Sequence, residues 1–170
     1  KEICQKLGET CDLIGNLDQA VLHFRAGMAL VSSPEEKAEV LRRIGMIHEK
    51  KGNLAAALRN YQEALDSIAS DQTRLEAGLL FMNIGWVHNR NGDFQKALDY
   101  SDKALDIFSR EKRGYETALV LNNLAVIHEL HGMWNLAEKY NKESIRLMEE
   151  IGDRRKLGSF YISLGLLSWK

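Results

Sequence analysis

Residues 81–105 read FMNIGWVHNRNGDFQKALDYSDKAL. With Phe81 set at position 4 of a repeating pattern, Ile84 and Gly85 take positions 7 and 8, and His88 takes position 11. Ala97 then falls at position 20, and Ala104 and Leu105 at 27 and 28. Apolar and small residues at these steps follow the helical period of about 3.6 on either side of Gly92-Asp93. A glycine followed by a capping residue closes one helix and opens the next. The stretch predicts a helix, a tight turn and a second helix.

The same pattern recurs on both sides. Position 7–8 is Leu7-Gly8, Ile44-Gly45, Ile84-Gly85, Leu124-Ala125 and Leu164-Gly165, so the step between repeats is 37 residues and then 40, 40 and 40. A step of that size signals a solenoid, in which each repeat buries its apolar face against its neighbours. Gly15, Gly52, Gly92 and Gly132 stand where a first helix needs a left-handed residue to end. Asn16, Asn53 and Asp93 follow as caps of the second helix, and Met133 interrupts that column. Ala20, Ala57, Ala97 and Ala137 are small where the two helices of a repeat cross, as are Gly8, Gly45, Gly85 and Ala125 on the first helix. Leu17, Leu54, Phe94 and Trp134 supply bulk at the start of each second helix. Small against large at fixed offsets lets helices interlock at short separation. The expected repeats are 1–37, 38–77, 78–117 and 118–157, with a partial fifth over 158–170.

Composition agrees with an all-α chain that can fill a core. Proline occurs once, at Pro34, and 45% of the 170 residues are hydrophobic. With 23 basic and 24 acidic residues the net charge is −1, which implies no general attraction to nucleic acid or to an anionic membrane. No apolar run approaches the roughly 20 residues of a membrane span. Cys4 and Cys11 are two helical turns apart, roughly 10 Å, beyond disulfide reach on one helix. They read as core thiols, and the chain is placed in the cytoplasm.

These columns resemble the tetratricopeptide repeat family, whose pattern has Leu-Gly, then an aromatic, an alanine, an aromatic and a proline. The resemblance runs over essentially the whole chain and implies a right-handed superhelix of antiparallel helix pairs. There are departures. Position 4 is Cys4, Leu41, Phe81, Leu121 and Tyr161 and never Trp. Position 24 is Phe24 and Tyr61 but then Ser101 and Asn141, with Tyr100 and Tyr140 one place earlier. The proline at position 32 is missing, and the extra residues at Asp71–Ala77, Arg110–Thr117 and Ile151–Leu157 are expected to lengthen helices by about a turn. LNNLAVIHELHGMWNLAEKY and the following Ile151–Asp153 resemble the long-repeat subgroup of kinesin light chains, Leu-Gly-Asn-repeat spindle adaptors and bacterial regulator arrays.

Catalytic motifs are absent: there is no GxSxG, P-loop, HExxH or GxGxxG pattern. His48, His88 and His128 share position 11, but no Cys, Asp or Glu column completes a tetrahedral metal set. They read as packing residues in place of the family's tyrosine. No enzyme, metal or cofactor is expected.

What the resemblance implies is a protein or peptide partner, bound in a concave groove lined by the first helices. Its groove positions carry Glu9, Asp12 and Leu13 at a polar, charged beginning. They continue with Arg42, Met46, Met82, Trp86, Asn89, Arg90, Asn122, Val126, Glu129, Ile162 and Leu166. Met82, Trp86 and Val126 are the expected anchors, because a large aromatic ringed by polar groups suits a binding hot spot. The other reading of Trp86 is packing against the next first helix. Amides at Asn83, Asn122 and Asn123 suit an extended peptide backbone. The clamp that grips chaperone carboxylates needs Lys at 5 and Asn at 9. It then takes Asn at 6 of the second repeat, with Lys at 2 and Arg at 6 of the third. Here the first frame offers Gln5, Glu9, Arg43, Leu79 and Asn83; the second offers Arg42, Met46, Asn83, Leu119 and Asn123, so neither builds it.

Lys1 stands at position 1 and Lys170 at position 13, so the chain reads as a piece of a longer protein, with self-association expected through Arg154–Lys170. A regulatory arm of a signalling protein and a structural oligomerisation module are the alternatives to a partner-binding module.

Overall fold

The computed structural model describes residues 2–68 and 75–152. Among them lie eight helices and no strand. In order these are α1 (Glu2–Leu13), α2 (Leu17–Met28), α3 (Pro34–Lys50), α4 (Leu54–Ser67), α5 (Leu75–Arg90), α6 (Phe94–Arg110), α7 (Gly114–Leu130) and α8 (Trp134–Ile151). The chain is an all-α solenoid-class fold of tandem helix pairs. Contacts divide it within α5 into two compact units, Lys1–Val87 and His88–Lys170.

One turn chemistry joins α1 to α2, α3 to α4, α5 to α6 and α7 to α8. Gly15, Gly52, Gly92 and Gly132 all have φ between +73° and +80°. The residue after each donates its backbone N–H five residues back, to Cys11, His48, His88 and His128, at 2.8–2.9 Å. The left-handed glycine reverses the chain within one turn and satisfies carbonyls that the helix end would otherwise strand.

The caps follow the predicted column in two cases and depart from it in a third. Asn16 accepts from the backbone N–H of Gln19 at 3.4 Å, and Asn53 from Ala56 at 3.1 Å. Asp93 makes no capping bond; its carboxylate lies 3.2 Å from His88 Nδ1 instead. An aspartate has one side chain to give, and the imidazole one turn back competes for it. Pro34 opens α3, where a missing N–H costs nothing, behind Ser33 as cap.

One core cluster of the N-terminal unit packs Ala20, Val21 and Phe24 of α2 against Val40, Ile44 and Ile47 of α3. Gly8 and Gly45 each sit beneath an aromatic ring. A Cβ on Gly45 would come within 2.9 Å of three carbons of Tyr61, and one on Gly8 within 3.0 Å of Phe24. In the C-terminal unit Ala118, Ile145 and Met148 make a smaller cluster, and Ser144 Oγ donates to the Ala118 carbonyl at 2.9 Å. There the aromatics of the second helices have moved one place earlier and found another partner. Tyr100 stacks on His88 with ring centroids 5.6 Å apart, and Tyr140 on His128 at 5.3 Å. The position-11 histidines are ring-packing residues in this unit.

The corner between α6 and α7 is three residues long, Glu111–Arg113, with both helices 17 residues in length. Lys112 takes φ +52° there, the one positive φ at a non-glycine among the described residues. The segments 69–74 and 153–170 lie outside the described residues, and with them Ile162, Leu166 and the expected self-association through Arg154–Lys170.

Candidate functional site

Two faces of the first helices have distinct fates. Among the described residues, positions 3, 7 and 10 are buried in the repeats that have a second helix before them. Val40, Ile44, Ile47, Val120, Leu124 and Ile127 are all within 1% of full burial. The opposite face carries the predicted site residues, and its character differs between the two units.

In the N-terminal unit, Met46 is 38% exposed, while Met82 and Trp86 are each partly exposed. Arg42 is not open to a ligand in the way its position suggests. Its Nε donates to Glu76 Oε1 at 2.6 Å, and the two side chains are only 16% and 19% exposed. The same motif repeats beside it. Arg43 donates to Glu9 at 2.6 Å and to Glu39 through two nitrogens, and Lys50 meets both carboxylate oxygens of Asp12 at 2.7 Å. These pairs join α1 to α3 and α3 to α5. The charged beginning of this face is therefore engaged in its own ion pairs, with Glu9 and Glu39 sharing Arg43. Sequence reasoning missed this, although opposite charges 34 and 38 residues apart, close to the repeat length, were the available signal.

Asn89 corrects an expectation. Its position in the repeat predicts an open side chain, yet it is 7% exposed with its Oδ1 unpartnered among the described residues. Asn89 is thereby turned away from the open face, whereas Glu129 at the same position of the next repeat is partly exposed. In the N-terminal unit the same position, Glu49, accepts a hydrogen bond from the Tyr61 hydroxyl at 3.1 Å. Burial and the neighbouring Glu49 push the Tyr61 phenol well above its ordinary range, so it stays a donor.

In the C-terminal unit, Arg90 is exposed, and Asn122, Val126 and Glu129 are partly exposed. Asn122 Oδ1 has no partner among the described residues, and in the N-terminal unit the same holds for Asn83 Nδ2. A buried amide atom without a partner carries a desolvation cost of about 1–3 kcal/mol, which a hydrogen bond would relieve. Burial holds the His128 imidazole below its ordinary pKa, with Asp102 opposing and His131 reinforcing the shift. Burial, followed by Lys51, does the same to His48. Among the described residues no three His, Cys, Asp or Glu side chains are grouped to hold a metal ion, and no helix is long and apolar enough to cross a membrane.

Comparison with known proteins agrees with the fold. A family model described as Tetratricopeptide repeat matches residues 75–150, and a second of the same description matches 38–71. The chain belongs to the tetratricopeptide repeat family, a class of protein-interaction repeats that is generally non-catalytic. No curated protein matches it in sequence. Its fold is similar to the crystal structure of BtubC (BKLC) from P. vanneervenii, with TM-score 0.85 and 18% identity over 98% of this chain and 70% of that one. It is similar to pilF of Pseudomonas aeruginosa, with TM-score 0.74 and 20% identity over 99% and 67% of the two chains. MamA gives 0.65 and 22% over 89% and 80%. At these identities the likeness is one of fold.

Proposed function

We propose that the exposed face of the first helices receives a peptide or helix of a partner protein. Met46, Met82 and Trp86 would be the apolar anchors on the N-terminal unit and Val126 the anchor on the C-terminal unit. Arg90, Asn122 and Glu129 would set orientation and charge preference. The observation that carries this reading is the row of Met46, Met82 and Trp86. These side chains stay partly open while the opposite face of the same helices is closed. Large apolar side chains held on rigid helices and left open to solvent are what hot spots are built from. The unpartnered amides of Asn83 and Asn122 support recognition of extended backbone, since each supplies a donor or acceptor that main chain can meet. The free thiols of Cys4 and Cys11 support a reducing compartment such as the cytoplasm.

The test is Trp86→Ala against a partner recovered by pull-down. Affinity measured by calorimetry should fall by roughly 2 kcal/mol or more while the helical circular dichroism is unchanged. An unaltered affinity would remove Trp86 from the site.

A further inference from the structure

We infer that Met133 is a site of reversible oxidation by a hydroperoxide, and that His128 receives the sulfoxide oxygen. The four hairpin turns supply the comparison. The residue after each left-handed glycine is Asn16, Asn53, Asp93 or Met133, and Met133 alone of these brings no side-chain oxygen to the start of a second helix. Asn16 and Asn53 cap their helices, whereas Met133 makes no capping bond to α8. In the α5–α6 turn the oxygen serves a histidine instead, with Asp93 Oδ2 3.2 Å from His88 Nδ1. The same two positions of the α7–α8 turn hold Met133 and His128. Sulfur stands there in place of oxygen, with Met133 Sδ 3.3 Å from His128 Nδ1.

A thioether offers only lone pairs, so Nδ1 carries the hydrogen in this contact and donates it. His128 is 6% exposed, stacked on Tyr140 at 5.3 Å and met edge-on by Phe94 at 6.0 Å, so its ring is held from α6 and α8. Met133 is 40% exposed and unbranched, so an oxidant reaches the sulfur and the side chain can shift to admit one more atom. Met46 is as open, at 38%, and its sulfur accepts from Arg42 at 3.4 Å. That donor keeps its charge whatever the sulfur becomes, whereas an imidazole titrates. In the oxidation a sulfur lone pair attacks one peroxide oxygen, and the S–O bond forms as the O–O bond breaks. Sulfur loses two electrons, and the departing oxygen takes up the proton of the transferred one and leaves as water or an alcohol. Thiol-dependent reductases reverse the step: two thiols join as a disulfide and the oxygen leaves as water. The groups that face His128 are Asp102 of α6, which favours its protonation, His131 of α7, which opposes it, and Tyr140 of α8. A sulfoxide oxygen is a far better acceptor than a thioether, and it joins Asp102 in favouring the imidazolium.

The experiment uses the whole 170-residue chain and dilute hydrogen peroxide, at a dose that oxidises Met46 and leaves Met148, 0% exposed, untouched. Mass spectrometry of tryptic peptides locates the sulfoxides, and NMR follows the histidine ring signals through a pH titration. Met133 should be oxidised, and His128 should titrate at a higher pH in the oxidised protein than in the reduced one. A methionine sulfoxide reductase with dithiothreitol should return both to their starting state. Met133→Leu keeps the size and apolar character of the side chain, and it should abolish the rise at His128 although Met46 is still oxidised. A Met133 that stays a thioether under these conditions overturns the inference. So does a His128 titration that oxidation leaves unmoved or lowers, a rise that persists once the sulfoxide is reduced, or an equal rise in Met133→Leu.

Discussion

Gly15 and Gly45 are both glycines of the first helical hairpins, for unrelated physical reasons. Gly15 has φ +79° with open space around the missing Cβ, so its requirement is conformational. Gly45 is helical, and its requirement is the Tyr61 ring that fills the place of a Cβ. Gly45→Ala is expected to cost about 1–3 kcal/mol through overpacking. Gly15→Ala should cost about 1–2 kcal/mol from the left-handed backbone alone. Urea unfolding of each variant gives the values, and Tyr61→Leu should recover part of the first loss but none of the second. Lys112 is the converse case, a side chain held at φ +52° in a turn that asks for glycine. Lys112→Gly should raise stability by up to about 1 kcal/mol, read as a higher urea midpoint; an unchanged or lower midpoint would show that Lys112 is not strained. The glycine turns are readable from spacing alone; Asp93 does stand at the N-cap position, but that its carboxylate goes to His88 and not to the helix end is not readable there.

At the scale of elements, the histidines of α3 and α7 make the helix pairs sensitive to acid. Burial depresses the folded-state pKa of His48 and His128 below 6.5, so the unfolded chain takes up protons first as pH falls. Their contribution to stability is complete above 6.5 and is lost as pH descends through the depressed folded values. The urea midpoint should therefore drop between about pH 7.5 and pH 5.5, and His128→Gln together with His48→Gln should flatten that drop. Asp102 acts in the opposite sense. Burial and Asp99 raise its carboxyl, so its share of stability is recovered on acidification, but only near the carboxylate range and below this window. Helix positions, lengths and the small-residue columns were legible because 3.6-residue periodicity writes them into the sequence. The shift of Tyr100 and Tyr140 to position 23 was legible as a departure, while the stacking on His88 and His128 that explains it was not.

At the scale of the molecule, contacts run between neighbouring helices, as expected where stability is a sum of repeat and nearest-neighbour contributions. A local lesson follows for Gly45→Ala. Hydrogen exchange should quicken most in α2, α3 and α4, which share its packing, and least in α7 and α8. Equal loss of protection throughout would show a single cooperative block. The self-paired charges belong to this scale too. With a net charge of −1, the chain offers a partner little long-range attraction.

The sequence by itself determined the helical class, the turn positions, the repeat length and the family, because each depends on local period, backbone conformation or residue size at a fixed offset. The candidate face rests on position in the repeat, which sets which way a helical residue points. Only the tertiary structure decided which of those residues remain available. Arg42 is engaged by Glu76, Asn89 is buried, and Met46 stays exposed. Those outcomes depend on side chains from different helices meeting in space, and no periodicity within one helix encodes such a meeting.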